Sequence, residues 1–145
     1  MSAPDIIIDY AMSFSGLPYR WGGDDPIKGF DCSGLCIELL QASGLWPRGQ
    51  DASAQILNNH FRSNGIIGKK GKGSLAFYGK SQITHIAFHL TRYHVIEAGS
   101  GGSTTLTLDD AEKQNAYIRI RPFDFRKDYI ESIMPRYPVV ALDDE

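Results

Sequence analysis

Apolar residues recur at helical spacing in the first part of the chain and run in strand-like blocks in the rest. Ile7, Ala11 and Phe14 repeat every three to four residues behind Ser2-Ala3-Pro4-Asp5, which has the form of a capping box with proline in the first turn. Gly16 closes this first helix. A glycine-rich loop containing Trp21 runs from Leu17 to Phe30. A second helix is expected from about Asp31 to Ser43, with Leu35, Leu39, Leu40 and Ala42 apolar and Gly44 as its stop. Trp46 to Gly49 reads as a turn, and Ala52 to Phe61 as a third helix.

The texture changes at Asn64. Glycines at 65, 68, 71 and 73 interleave with Lys69, Lys70 and Lys72, the composition of a mobile connector. β-prone blocks follow at Ser74–Tyr78, Ile83–Leu90, Tyr93–Ala98, Thr104–Leu108 and Tyr117–Phe123. Helices first and antiparallel strands second define an α+β class. One domain over residues 1–125 accounts for these elements. Residues 126–145, with two prolines in Pro135 and Pro138 and the ending Asp143-Asp144-Glu145, are expected as a loosely attached tail with a flexible acidic tip.

Composition narrows the function by exclusion. With 15 basic and 17 acidic residues there is no broad positive field for nucleic acid, and no apolar run approaches the ~20 residues that would insert into a membrane. The opening Met1-Ser2-Ala3-Pro4-Asp5 lacks the basic start and long apolar core of a secretory signal. The chain is therefore expected to be made in the cytoplasm. Cys32 and Cys36, four apart on a helix, match neither a zinc set nor a useful disulfide, so one functional thiol and one core thiol is the expectation.

A thiol attacks an acyl carbon as thiolate, and the start of a helix favours negative charge through its unpaired N–H groups and macrodipole. Cys32 stands at such a start, and Gly22, Gly23, Gly29 and Gly34 around it allow backbone amides to approach an oxyanion. A base must come from elsewhere. Of His60, His85, His89 and His94, the last three fall in a hairpin spanning Ile83 to Ala98. If that hairpin turns around Thr91, His85 lies directly opposite Glu97, a carboxylate able to orient the imidazole and stabilise its protonated form. His89 shares that face but lies roughly 13 Å along the strand, and His94 points to the other face. His60, in a polar stretch, is expected at the surface.

The segments Gly16-Leu17-Pro18-Tyr19-Arg20-Trp21-Gly22-Gly23, Gly29-Phe30-Asp31-Cys32-Ser33-Gly34-Leu35, Trp46-Pro47-Arg48, Gly73-Ser74-Leu75-Ala76-Phe77-Tyr78 and His85-Ile86-Ala87-Phe88 resemble, in order, those of the NlpC/P60 peptidases. These are papain-like cysteine peptidases that act mainly on bacterial peptidoglycan stem peptides. The resemblance covers roughly residues 5–123. It implies a papain-like fold with N-terminal helices packed on a central antiparallel β-sheet. It also implies Cys32 as nucleophile, His85 as base and a third polar residue that falls on Glu97, with Tyr19 and the Cys32 backbone N–H at the oxyanion. Asp31 and Ser33 become substrate contacts, joined by Arg48 and Trp21, although Trp21 is expected chiefly to pack the loop. Two positions depart from the family pattern: Glu97 stands where His, Asn or Gln is usual, and Ser74 replaces an aspartate. The segment Gly49-Gln50-Asp51-Ala52-Ser53-Ala54-Gln55 follows the family's Thr/Ser-x-x-Gln helix start only loosely.

These readings converge on an amidohydrolase of peptidoglycan stem peptides using a Cys-His-Glu triad, with no metal or organic cofactor and with a monomer as the default. The expected setting is a phage lytic or tail-associated enzyme, dependent on holin or tail for delivery and acting on the wall after release. Three alternatives stand beside it: a secreted toxin of the same chemistry, an amide or acyl transferase, and a catalytically silent stem-peptide-binding or structural tail module.

Overall fold

The computed structural model describes residues 2–25 and 29–138. The acidic end expected to be flexible lies outside the described residues. Helix α1 (Ala3–Met12) begins at Ser2, whose hydroxyl accepts from the Asp5 N–H while the Asp5 carboxylate accepts from the Ser2 N–H. The capping box is thus formed as expected. Helix α2 (Cys32–Ala42) is capped by Asp31, and α3 (Ala54–Ser63) by Ser53. Between α1 and α2, the short strands β1 (Asp24–Asp25) and β2 (Gly29–Phe30) pair with each other. Bridges from Pro18 to Tyr117 and from Tyr19 to Phe30 pin the loop that leads to them. Among the described residues no helix is long and apolar enough to cross a membrane.

The remaining strands are β3 (Gly65–Ile67), β4 (Leu75–Gly79), β5 (Ile83–His89), β6 (His94–Ala98), β7 (Ile118–Pro122) and β8 (Tyr129–Pro135), with α4 (Leu108–Gln114) between β6 and β7. They form one antiparallel sheet in the order β3-β8-β4-β5-β6-β7. Alternation decides its faces. Leu75, Phe77, Ile86, Phe88 and Ile96 point into the main core with Leu35, Leu39 and Leu40 of α2 and Leu57 and Phe61 of α3. Ala76, Tyr78, Ala87 and Val95 point the other way and are covered by Phe123, Phe125 and Tyr129.

Three expectations are corrected here. Residues 126–138 are not a loose tail: β8 pairs with β3 on one side and β4 on the other, Ile133 is fully buried, and the Tyr137 hydroxyl donates to the Gly73 carbonyl. The lysine loop is tied down, because β3 pairs with β8, Lys72 bridges to Asp5 at 3.2 Å and the Lys70 ammonium lies 4.1 Å from the Phe123 ring centre. Ser74, where the family pattern has aspartate, closes this segment by donating to the Lys69 carbonyl. Finally, Thr104–Leu108 is no strand. Thr107 and Asp110 form a second capping box that starts α4, and Thr105 is buried with its hydroxyl on Gln114.

An interior β8 makes a clear demand on the chain. A protein ending at Phe125 loses the strand that joins β3 to β4 and exposes the β4 edge, so it should lack cooperative thermal unfolding and amide-exchange protection in β4. A protected, cooperative truncated protein would show that β8 is dispensable.

Candidate active site

The site is built outward from the first turn of α2. Asp31 accepts from the Gly34 N–H at 2.6 Å and from the Ser33 hydroxyl at 3.4 Å through Oδ1, and from the Gly22 N–H at 3.2 Å through Oδ2. One carboxylate therefore caps the helix and holds the preceding loop against it. The fit is close enough to require glycine. A Cβ on Gly34 would stand 2.0 Å from the Gly23 carbonyl oxygen. Burial pushes the Asp31 carboxyl up, opposed by the Gly34 N–H. Cys32, half-buried, is the first residue of the helix. Cys36, one turn later, is fully buried in the core, and burial raises its thiol well above the ordinary range.

His85 Nε2 lies 2.9 Å from Glu97 Oε1, with both side chains buried. That leaves Nδ1 as the ring nitrogen not engaged by Glu97, and Cys32 is the other group whose proximity raises the imidazole pKa. The two residues meet, but not directly opposite each other. Phe88 pairs with Ile96 and His89 with Val95, so the turn is centred on Arg92 and the register is shifted by two residues from the expected one. A shift of two keeps every side chain on its face. His85 and Glu97 become diagonal neighbours, within reach of long side chains. Arg121 completes the cluster: its Nε is 3.6 Å from Glu97 Oε2, and among the described residues neither atom has a hydrogen-bond partner. Burial alone would pull the His85 pKa down. The hydrogen bonds and charges of Cys32 and Glu97 outweigh it and raise the value from 6.5 to about 9.

Cys32, His85 and Tyr19 line one cavity of about 220 Å³ together with Trp21, Thr84, Arg126 and the Ala98–Gly102 segment. The Tyr19 ring packs on Gly101, where a Cβ would come within 2.2 Å. Burial, followed by the charges of Cys32 and Asp31, raises the Tyr19 pKa, so its hydroxyl stays protonated and can donate. A second, more open cavity holds Asp31, Ser33, Asp51 and Ser53, and Trp21 lines both. Trp21 is 51% exposed, which corrects the expectation that it chiefly packs the loop. Arg48 lines neither cavity; it is exposed, and its charge acts on the Tyr10 hydroxyl.

The other histidines are otherwise engaged. His89 is buried between the Thr91 carbonyl and the Ser132 hydroxyl, and burial lowers its pKa to about 4. His60 is exposed beside Trp46, and His94 is exposed at the hairpin turn. The sequence reading missed Arg121, Arg126, Asp51 and Gln55. The last accepts the Ile83 N–H at 2.8 Å and so fixes the strand end that carries His85. Its signal lay in the loosely matched Ser53-Ala54-Gln55 helix start.

A helix-start thiol facing an imidazole on an antiparallel sheet is the arrangement of a papain-like α+β domain. The NlpC/P60 family profile matches residues 16–122, and the chain belongs to that family. It is 31% identical over 113 residues to the dipeptidyl-peptidase 6 of Lysinibacillus sphaericus, covering 78% of this chain and 38% of that protein. Against the bifunctional muramidase/DL-endopeptidase CwlT of Bacillus subtilis it is 30% identical, covering 68% of this chain and 30% of the relative. The chain thus spans well under half of either relative. Among solved structures, an NlpC/P60 family protein from Bacillus cereus superposes with a TM-score of 0.67 at 26% identity, over 92% of this chain and 40% of that one. The P60 domain of a Mycobacterium avium subspecies paratuberculosis antigen, at 24% identity and a TM-score of 0.66, covers 94% and 96% and supports the fold.

The electrostatics of the pair fix a pH dependence. With the folded-state pKa of His85 above its ordinary value, protonation favours the folded chain. That contribution is whole below pH 6.5 and is lost as pH rises through about 9. Glu97→Gln keeps an acceptor but removes the charge, so the imidazole titration followed by NMR should move to lower pH. An unmoved midpoint would show that Glu97 does not act on His85 electrostatically.

Proposed function

We propose that this protein is a cysteine endopeptidase that hydrolyses amide bonds in the stem peptides of bacterial peptidoglycan. The observation that carries the reading is the meeting of the Cys32 thiol and the His85 imidazole in the wall of one cavity, with the buried Glu97 carboxylate behind the imidazole at 2.9 Å. The names of the relatives, a dipeptidyl-peptidase and a DL-endopeptidase, support the substrate class.

In this mechanism the Cys32 thiolate, facing protonated His85, adds to the scissile carbonyl. Negative charge develops on the carbonyl oxygen, where the Tyr19 hydroxyl and the Cys32 backbone N–H donate. His85 gives its proton to the leaving amine, which departs and leaves a thioester on Cys32. Neutral His85 then takes a proton from water, the hydroxide adds to the thioester, and collapse releases the carboxylic acid and restores the thiolate–imidazolium pair. Glu97 keeps Nε2 protonated and Nδ1 directed at sulfur throughout. Water is the acceptor in this scheme; an amine in its place would give transfer through the same thioester.

For the setting we retain a phage lytic or tail-associated role, with a monomer acting on the wall after release or delivery. Neighbouring holin or tail genes would support that setting, and an immunity gene would point to a secreted toxin.

Mass spectrometry of muropeptides and free stem peptides tests the reaction. The native protein should release fragments with new amines, and Cys32→Ala should release none while keeping its fold; equal release by both would sink the assignment. Tyr19→Phe removes one oxyanion donor and should lower kcat by about 10²-fold with little change in KM. An undiminished kcat would exclude Tyr19 from the oxyanion site.

A further inference from the structure

Trp21 lines two cavities whose charged side chains differ. On one side Asp31 and Asp51 supply carboxylates and no cation lines the wall. On the other, where Cys32 and His85 lie, no acidic side chain lines the wall and Arg126 does. Arg126 falls beyond residues 16–122, the stretch the family profile matches.

We propose that Arg126 makes the Cys32 cavity a carboxylate-binding subsite, selecting peptides that carry a free carboxylate next to the scissile amide. The inference rests on the peptidase reading and names what that site prefers. Arg126 is held in a fixed pose. Its Nε and Nη2 donate to the two oxygens of Asp128 at 2.9 and 2.7 Å, and its guanidinium lies 5.5 Å from the Tyr78 ring centre. Among the described residues Nη1 donates to nothing, which leaves one edge of the planar fork for a ligand. The hydrogen bonds from Arg126 hold the Asp128 carboxyl below its ordinary range, so the partner stays charged and the pose persists at neutral pH.

A carboxylate arriving in this cavity meets a pre-oriented guanidinium with Thr84 and Ser100 in the same wall. A carboxamide of the same shape brings no charge and turns an N–H₂ donor toward a donor.

The test uses two probes, L-alanyl-γ-D-glutamyl-L-lysine and the same peptide with the glutamyl α-carboxylate converted to carboxamide. Calorimetric binding to the Cys32→Ala protein should favour the acid by about 10-fold or more. Adding Arg126→Met should bring the acid-to-amide ratio to within about 2-fold, and Arg126→Lys, which keeps charge but not the fork, should give an intermediate ratio. Thermal melts of each variant separate a binding effect from a folding one. Equal binding of acid and amide by Cys32→Ala, or a ratio untouched by Arg126→Met, overturns the subsite even if the native protein cleaves both probes. Acid-selective binding without cleavage by the native protein upholds the subsite and rejects the hydrolase reading.

Discussion

The cleft depends on how tightly the Gly22-Gly23 turn is docked on the first turn of α2. Asp31 spends one carboxylate oxygen on its own helix and the other on the turn, and Gly34 offers no Cβ to hold the two apart. This contact fixes the end of the loop next to α2, while the Pro18–Tyr117 and Tyr19–Phe30 bridges fix its start. Tyr19 is brought beside Cys32, and Trp21 comes to stand between the two cavities. A residue first legible as a substrate contact is thus also the joint that assembles the site, which explains why its carboxylate is half-buried instead of solvated.

The second organising feature is a charged cluster whose imidazole and carboxylate are buried on the sheet face that also holds the His89–Ser132 pair. His85, Glu97 and Arg121 come from three adjacent strands, β5, β6 and β7, and reach one another diagonally. Burying charge is costly unless partners are close, and removing one member leaves the others uncompensated. Sheet packing and the geometry around His85 are accordingly not separable here. The far-face aromatics Phe125 and Tyr78 flank the imidazole, so the hydrophobic cover of the sheet also restricts water around that ring.

Much of this was legible in sequence where the cause is local. The α1 capping box, the Gly44 stop and the periodicity of α2 depend on neighbours a few positions away. The pairing of His85 with Glu97 needed only strand parity, which survives a two-residue error in register; turn length, which sets the register itself, has no strong marker in Leu90-Thr91-Arg92-Tyr93. Helix α4 was masked by the β-branched run Thr104-Thr105-Leu106-Thr107, although Thr107 and Asp110 are a regular capping pair. In β8 the buried Ser132 and the half-buried Glu131 obscured the apolar alternation, because their partners, His89 for one and Asn58 and Arg62 for the other, are 43, 73 and 69 residues distant. Arg121 and Arg126 act through long side chains across strands and loops, a reach that spacing along the chain does not encode.

The place of β8 also orders events in time. A chain emerging from the ribosome presents α1 to β7 first, yet the interior sheet position between β3 and β4 stays empty until residue 135 has been made. The segment that follows β7 brings Phe125 against His85 and Arg126 into the Cys32 cavity. A nascent chain carrying the thiol and the imidazole therefore lacks a finished cleft. Completion of the surroundings of Cys32 is a late, long-range closure.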